Sequence, residues 1–223
     1  MSIPSDHRES VAQALLPVRF SSCYLSPELH SHEWLCYLTV TMTYYERNLP
    51  HWHPDGRAIF LTWRLYRSLP ERVAAELRSS RKLPRRQFAL AEQFLDQAGF
   101  GPQWLKNPHI AESVESCILR GSCALGQYTI LAYVVMPNHV HLLIEPRLPL
   151  ERIARGIKGV SARDANRFLK RPGCVFWQAE SFDHWVRTPA ECEKICRYIE
   201  NNPVKAGLAN TADAWPWSSA TKK

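Results

Sequence analysis

The sequence lacks any CxxC pair. Its seven cysteines (Cys23, Cys36, Cys117, Cys123, Cys174, Cys192 and Cys196) are odd in number and scattered. That excludes a zinc knuckle and argues against a disulfide frame, so reduced thiols in a cytoplasmic protein are expected. No apolar run is long enough to span a bilayer; the longest, EWLCYLTVTMTYY, is broken by threonines. The opening MSIPSDHRESVAQ has no basic stretch leading into an apolar one, so no secretory signal and no membrane partner are expected. There is no internal repeat and no low-complexity tract. What remains is an ordinary folding composition, 45% hydrophobic and 22% charged over 223 residues, which suits one good-sized domain with extensions. Lys and Arg number 28 against 21 Asp and Glu, a net charge of +7 that suits a polyanionic partner.

Residues 1–41 carry no pattern that extends into a domain. Three readings are open: a disordered arm, a partner-binding arm, or a stretch upstream of a true start at Met42. The expected division is a poorly ordered N-terminal extension over 1–56, a domain over 57–219 and a tail over 220–223. From Ala58 the pattern sharpens. AIFLTWRLY reads as a strand, and a helical pattern follows near QFALAEQFLDQAGF, ended by Gly99 and Gly101. PHIAESVESCILRGSCAL reads as a helix; QYTILAYVVM and HVHLLIEP read as an antiparallel strand pair joined through Pro137 and Asn138. PLERIARGIKGVSARDANRFLK is the clearest helix. Ile153, Ile157, Val160 and Phe168 form its apolar stripe, and Arg152, Arg155, Lys158, Arg163, Arg167 and Lys170 lie mostly opposite. A solvated surface is the plainer account of such a face. The last helix opens at TPAE, with Thr188 as N-cap, Pro189 at the first position and Glu191 closing a capping box. It stops at Asn202, before Pro203. This order predicts an α+β fold: an antiparallel sheet with helices packed on one face.

Three HxH pairs occur: His30 and His32, His51 and His53, His139 and His141. Only the last lies on a convincing strand. Side chains at i and i+2 share a strand face, about 7 Å apart at Cα, a span that two imidazoles can close on one ion. Val140, Leu142 and Ile144 point to the opposite face, where helices pack, so the histidines are expected on an open face where a phosphodiester could lie. Imidazoles on a wet sheet face are also common without a metal. On the last helix, Cys192, Ile195 and Ile199 mark the buried side. Tyr198 falls at its edge, with Asn202 four residues on and about 40° around the axis. Each has a plain alternative: Tyr198 as an amphipathic edge residue, Asn202 as a helix terminator.

MPNHVHLLIEP resembles the HUH motif of single-tyrosine transposases. QAESFDHWVR, RYIENNPVKAGLA and WPWSS resemble, in that order, blocks of the REP-associated tyrosine transposases, relatives of the insertion-sequence 200 type. The likeness covers roughly Arg57 to Ser219; the N-terminal extension and the Arg-rich insert after the first strand depart from it. It implies a ferredoxin/RRM-like HUH fold and an enzyme, most often monomeric, that cuts single-stranded hairpin DNA. A tyrosine attacks the phosphodiester, becomes linked to the 5′ phosphate and releases a 3′ hydroxyl. Carried over, Tyr198 is the nucleophile, and His139, His141 and Asn202 hold Mg²⁺ or Mn²⁺. Arg187 and the basic face from Arg152 to Lys170 contact DNA. His184 is read as a structural histidine bonded to the backbone, with DNA positioning or proton transfer as the other roles open to it. The competing classes are a catalytically inactive nucleic-acid-binding regulator on the same fold and a host-tamed nuclease.

Overall fold

A computed structural model describes residues 42–46, 50–54, 56–79, 84–97 and 99–222, all within the compact unit Thr39–Lys223. The readings of residues 1–41, with Cys23, Cys36, His30 and His32, lie outside the described residues. β1 (Met42–Glu46) and β2 (Pro50–Pro54) pair as an antiparallel hairpin, within the stretch read as an extension.

The main sheet has four antiparallel strands. β3 (Ile59–Arg64), β4 (Tyr128–Val135), β5 (His139–Pro146) and β6 (Phe182–Trp185) lie in the order β4-β5-β3-β6. The helices are α1 (Glu71–Ser79), α2 (Pro84–Asp96), α3 (Pro108–Cys123), α4 (Leu150–Phe168), α5 (Pro189–Glu200) and the short α6 (Asn202–Lys205). The α+β class read from the sequence stands, and α3 and α4 do pack on one sheet face. Period-two alternation sends Leu61 and Trp63 of β3, with Val140 and Leu142 of β5, into one cluster with Ile110, Val114 and Ile118 of α3 and Ile153 and Ile157 of α4. All are at most 4% exposed. Truncating one such aliphatic side chain costs about 2–5 kcal/mol.

The second face is not open. Phe60, Ala132, Val134 and Leu143 pack there against Ile199, Ile195, Cys192 and Cys196 of α5 and Phe88 of α2. His139 and His141 share this face and are fully buried. The expectation of a solvated histidine face is therefore corrected: the apolar stripe of α5 needs a surface to cover, and this is the one it covers.

The C-terminal segment closes the β4 edge. Val135 donates its N–H to Trp217 O (2.9 Å), Trp215 Nε1 donates to Val135 O (3.0 Å), and Tyr133 N–H donates to Ser219 Oγ (3.1 Å). Two details of the helices differ from the sequence pattern. Phe168 is 49% exposed rather than part of the α4 stripe, where Ser161 and Ala165 are buried instead. Thr188 Oγ1 accepts from Glu191 N–H as a cap should, but Glu191 Oε2 accepts from Arg187 N–H rather than from Thr188. α5 ends at Glu200, and Asn202 opens the next short helix. Cys117, Cys123, Cys174 and Cys192 are free thiols. Among the described residues no helix is long and apolar enough to cross a membrane.

Candidate active site

Asn138, in the tight turn before β5, sets the chemistry of the first histidine. Its Nδ2 donates to Leu95 O (3.1 Å), which fixes the amide so that Oδ1 faces His139 Nδ1 at 2.7 Å. An amide oxygen only accepts, so His139 Nδ1 carries the proton and its Nε2 offers a lone pair. His139 Nε2 lies 3.1 Å from His141 Nε2. On its other side His141 Nδ1 meets Thr62 Oγ1 of β3 at 2.7 Å. The sequence analysis read Asn138 only as a turn residue and gave Thr62 no role.

A carboxylate completes the group. Glu92 of α2 places Oε2 3.1 Å from His141 Nε2 and accepts a very short hydrogen bond from the Tyr198 hydroxyl. One ligand atom each from Glu92, His139 and His141 lie within 4.8 Å of one another, all three residues buried. Lone pairs and a carboxylate this close repel unless a proton or a cation sits among them. Burial, and then the neighbouring His141, push His139 down to about 3, which keeps it in the neutral form that binds metal. Burial raises the Glu92 carboxyl, but attraction and a hydrogen bond to His141, aided by His139 and Tyr198, outweigh it and hold it at about 2. Glu92 is thus ionised, and Glu92 Oε1 has no hydrogen-bond partner.

Tyr198, on α5, and Asn202, at the start of α6, both lie against His141. The Tyr198 ring lies 5.6 Å from the His141 ring and edge-on to Phe60 at 6.1 Å. Asn202 is fully buried, with Nδ2 3.3 Å from His141 Nε2 and Oδ1 lacking a partner. Burial first, then the Glu92 carboxylate, raise the Tyr198 phenol well above its ordinary range. Beside Tyr198 a cleft of ≈ 460 Å³ opens, lined by Phe88, Glu92, Asp96 and Lys205 among others. Lys205 stands over the Tyr198 ring at 5.8 Å and pairs with Asp96 at 2.6 Å.

The remaining predicted residues divide. Arg152, Arg155, Arg163, Arg167, Lys170 and Arg187 are exposed. Lys158 instead donates to Gln178 O (2.8 Å) and Ala179 O (2.9 Å), tying α4 to the segment before β6. His184, on β6, has Nε2 3.0 Å from Glu191 Oε1, so the bond that holds it goes to the α5 N-terminus and not to the backbone.

Glu92 is a candidate metal-holding residue that the sequence analysis missed. A signal was present: Phe88, Glu92 and Leu95 fall at i, i+4 and i+7, so a glutamate occupies a place on the apolar stripe of α2.

Residues 103–202 match the IS200-like transposase family. The recognition made from the motifs stands. The matched stretch holds His139, His141, Tyr198 and Asn202, while Glu92 precedes it. Among solved structures, a REP-associated tyrosine transposase bound to a REP hairpin resembles this chain with a TM-score of 0.50 and 19% identity, over 81% of this chain and 84% of that one. That likeness shows the fold. A putative transposase from Deinococcus radiodurans aligns with a TM-score of 0.31 and 21% identity, over 65% of this chain and 89% of its own. No curated protein matches the chain.

Proposed function

We propose that the protein is a metal-dependent endonuclease and strand transferase of single-stranded, hairpin-bearing DNA, acting as a transposase through a 5′-phosphotyrosine. The observation that carries this reading is the hydrogen bond joining Tyr198 to Glu92, which itself lies against His141. A nucleophile and a candidate cation site share one carboxylate. The donor set fits a divalent ion: His139 and His141 nitrogens, a Glu92 oxygen and, with its amide turned, Asn202 Oδ1 would hold Mg²⁺ or Mn²⁺. Such an ion supplies Lewis-acid polarisation of the scissile phosphate.

The chain's own groups supply the rest. A buried phenol is a weak nucleophile at neutral pH and needs a base. The Glu92 carboxylate accepts the Tyr198 hydrogen bond and orients the hydroxyl; held at about 2 it is a weak base, so a cation beside it would have to favour the phenolate while the phenol's proton passes to solvent. Tyr198 oxygen bonds to phosphorus, the P–O3′ bond breaks, and the leaving oxygen takes up a proton as a free 3′ hydroxyl. Lys205, at the mouth of the cleft, is placed to meet a phosphate oxygen. The exposed cations of α4 and Arg187 are the proposed track for the DNA backbone. Cleavage and transfer belong to residues 57–219 in this reading, and a chain starting at Met42 should cut like the full one.

The test is direct. Wild-type protein incubated with hairpin DNA and Mn²⁺ should give a denaturant-resistant adduct whose tryptic peptide maps to Tyr198. Cleavage that persists in EDTA, or an adduct on another residue, overturns the proposal.

A further inference from the structure

Four of the five exposed large hydrophobic residues among the described ones lie on segments that meet at one end of the fold: Tyr66 at 38%, Phe100 at 48%, Phe168 at 49% and Val175 at 55%. Contacts join the segments that carry Tyr66, Phe100 and Val175. Tyr66 N–H donates to Phe176 O (2.8 Å), Phe176 stacks on Trp104 (5.4 Å), and the Arg171 guanidinium lies 4.1 Å from the Trp104 centroid while donating to Val175 O (3.3 Å). Gly101, next to Phe100, packs so tightly on the Arg67 backbone that a Cβ there would come within 2.2 Å of Arg67 O. Phe168 lies against His109, 5.4 Å between ring centroids, in the first turn of α3.

The rim of this surface is basic. Arg67, Lys106 and Lys170 are exposed, and the Arg67 guanidinium stands over the Tyr66 ring at 5.5 Å. The nearby acids are Asp164, engaged by Arg167 at 3.4 Å, and Glu112 on α3. Arg67 (φ 60°) and Lys170 (φ 56°) are the non-glycine residues with positive φ among the described ones, and local bonds fix both: Ser68 N–H donates to Leu65 O (3.2 Å) across the turn that holds Arg67, and Lys170 and Arg171 N–H donate to Arg167 O (3.1 Å) and Asn166 O (2.9 Å) in the cap that ends α4. The surface also sits close to the candidate active site. Leu65 N–H donates to Asn138 O (2.8 Å) and Leu105 N–H to Pro137 O (3.2 Å), so it is rooted on the turn that leads into His139.

We propose that this surface is a stacking platform for unpaired nucleotides: Tyr66 and Phe168 take base faces, and Arg67, Lys106 and Lys170 take the adjoining phosphates. Exposed rings set among cations are what a flexible single strand needs, since every base has a face to stack and every linkage a charge to neutralise. Naming that strand as the flank of a cleaved hairpin rests on the function proposed above; the platform itself does not.

The experiment compares a hairpin with no flank and the same hairpin carrying a thymidine flank, by fluorescence anisotropy. In wild type the flank should add affinity. Tyr66→Ala and Phe168→Ala should each remove about tenfold of that gain, leave the bare hairpin's affinity unchanged and melt like wild type. A 5-iodouracil in the flank should crosslink to the Phe168 peptide. A flank that adds nothing, or a gain that survives both substitutions, overturns the platform. So does a variant that loses only concentration-dependent self-association, which would assign the surface to a second copy of the chain. Ring-dependent flank binding without a Tyr198 adduct would sink the proposed function and leave the platform standing.

Discussion

The Tyr198 hydroxyl donates to the Glu92 carboxylate, which lies 3.1 Å from His141 Nε2. One side chain of α2 therefore joins Tyr198 on α5 to the histidines on β5. Glu92→Gln keeps the shape and removes the charge. It should weaken Mn²⁺ binding at least tenfold (about 1.4 kcal/mol) and slow adduct formation, as read by calorimetry and by gel. Wild-type values would leave His139, His141 and Asn202 as the sufficient ligands.

Tyr198→Phe deletes one hydroxyl from a half-buried ring. Losing a hydrogen bond to a charged partner costs about 1.5–3 kcal/mol, too little to unfold an ordinary domain. The variant should still bind hairpin DNA and form no adduct. Tyr133 is no substitute, because its hydroxyl is bound to Glu115 Oε1 (2.7 Å) and its ring lies in the cluster behind the sheet.

Acid should destabilise the metal-free protein in two stages. His139 is held at about 3, below the ordinary histidine value, so below pH ~6.5 the unfolded chain takes up a proton that the native one refuses. Glu92 is held at about 2, so its contribution is present above the ordinary carboxylate value and is lost as pH falls towards 2. Melting temperature should fall from neutral pH downwards. His139→Gln should flatten the first stage, and an unchanged profile in that variant would assign the loss to other groups.

Gly121 lies in the last turns of α3, and a Cβ there would come within 2.2 Å of the Tyr128 hydroxyl, which itself donates to Ile118 O (2.7 Å). Helix propensity alone would favour Ala over Gly by about 1 kcal/mol. The clash is with a rigid ring tied at its tip, and it wins. Gly121→Ala should lower stability in chemical denaturation; a gain would show that the ring can yield.

Two cations of α4 should behave oppositely. Charge reversal at exposed Arg155 should flatten the salt dependence of DNA binding, since each phosphate contact contributes about −0.7 to the log–log slope on a single strand. Lys158→Met should leave that slope alone and cost stability, because its ammonium serves the carbonyls of Gln178 and Ala179.

The sequence was legible where one period ruled a segment. The alternation in HVHLLIEP put both histidines on one face, and the spacing in RYIENN put Tyr198 beside Asn202; both hold in three dimensions. The covering of that face was not legible, because an apolar stripe such as that of α5 shows that a helix is buried without showing against what. Glu92 escaped for a related reason. Glu92 follows the Arg-rich insert and lies 47 residues before His139, so no local pattern ties the two. Phe168 was misplaced because extrapolating a stripe along α4 assumes a packing partner at every position, whereas Ala165 and Asn166 are buried in the last turn and Phe168, at its end, lies beside His109 and remains half exposed.

The WPWSS block gives the β4 edge its last partner. By donating and accepting along Tyr133–Val135, Trp215 to Ser219 occupy backbone groups that would otherwise be free to anneal with a strand from another molecule. That stretch shields the Tyr133–Val135 end of the edge from a strand of another molecule, while the opposite sheet edge is a strand of four residues.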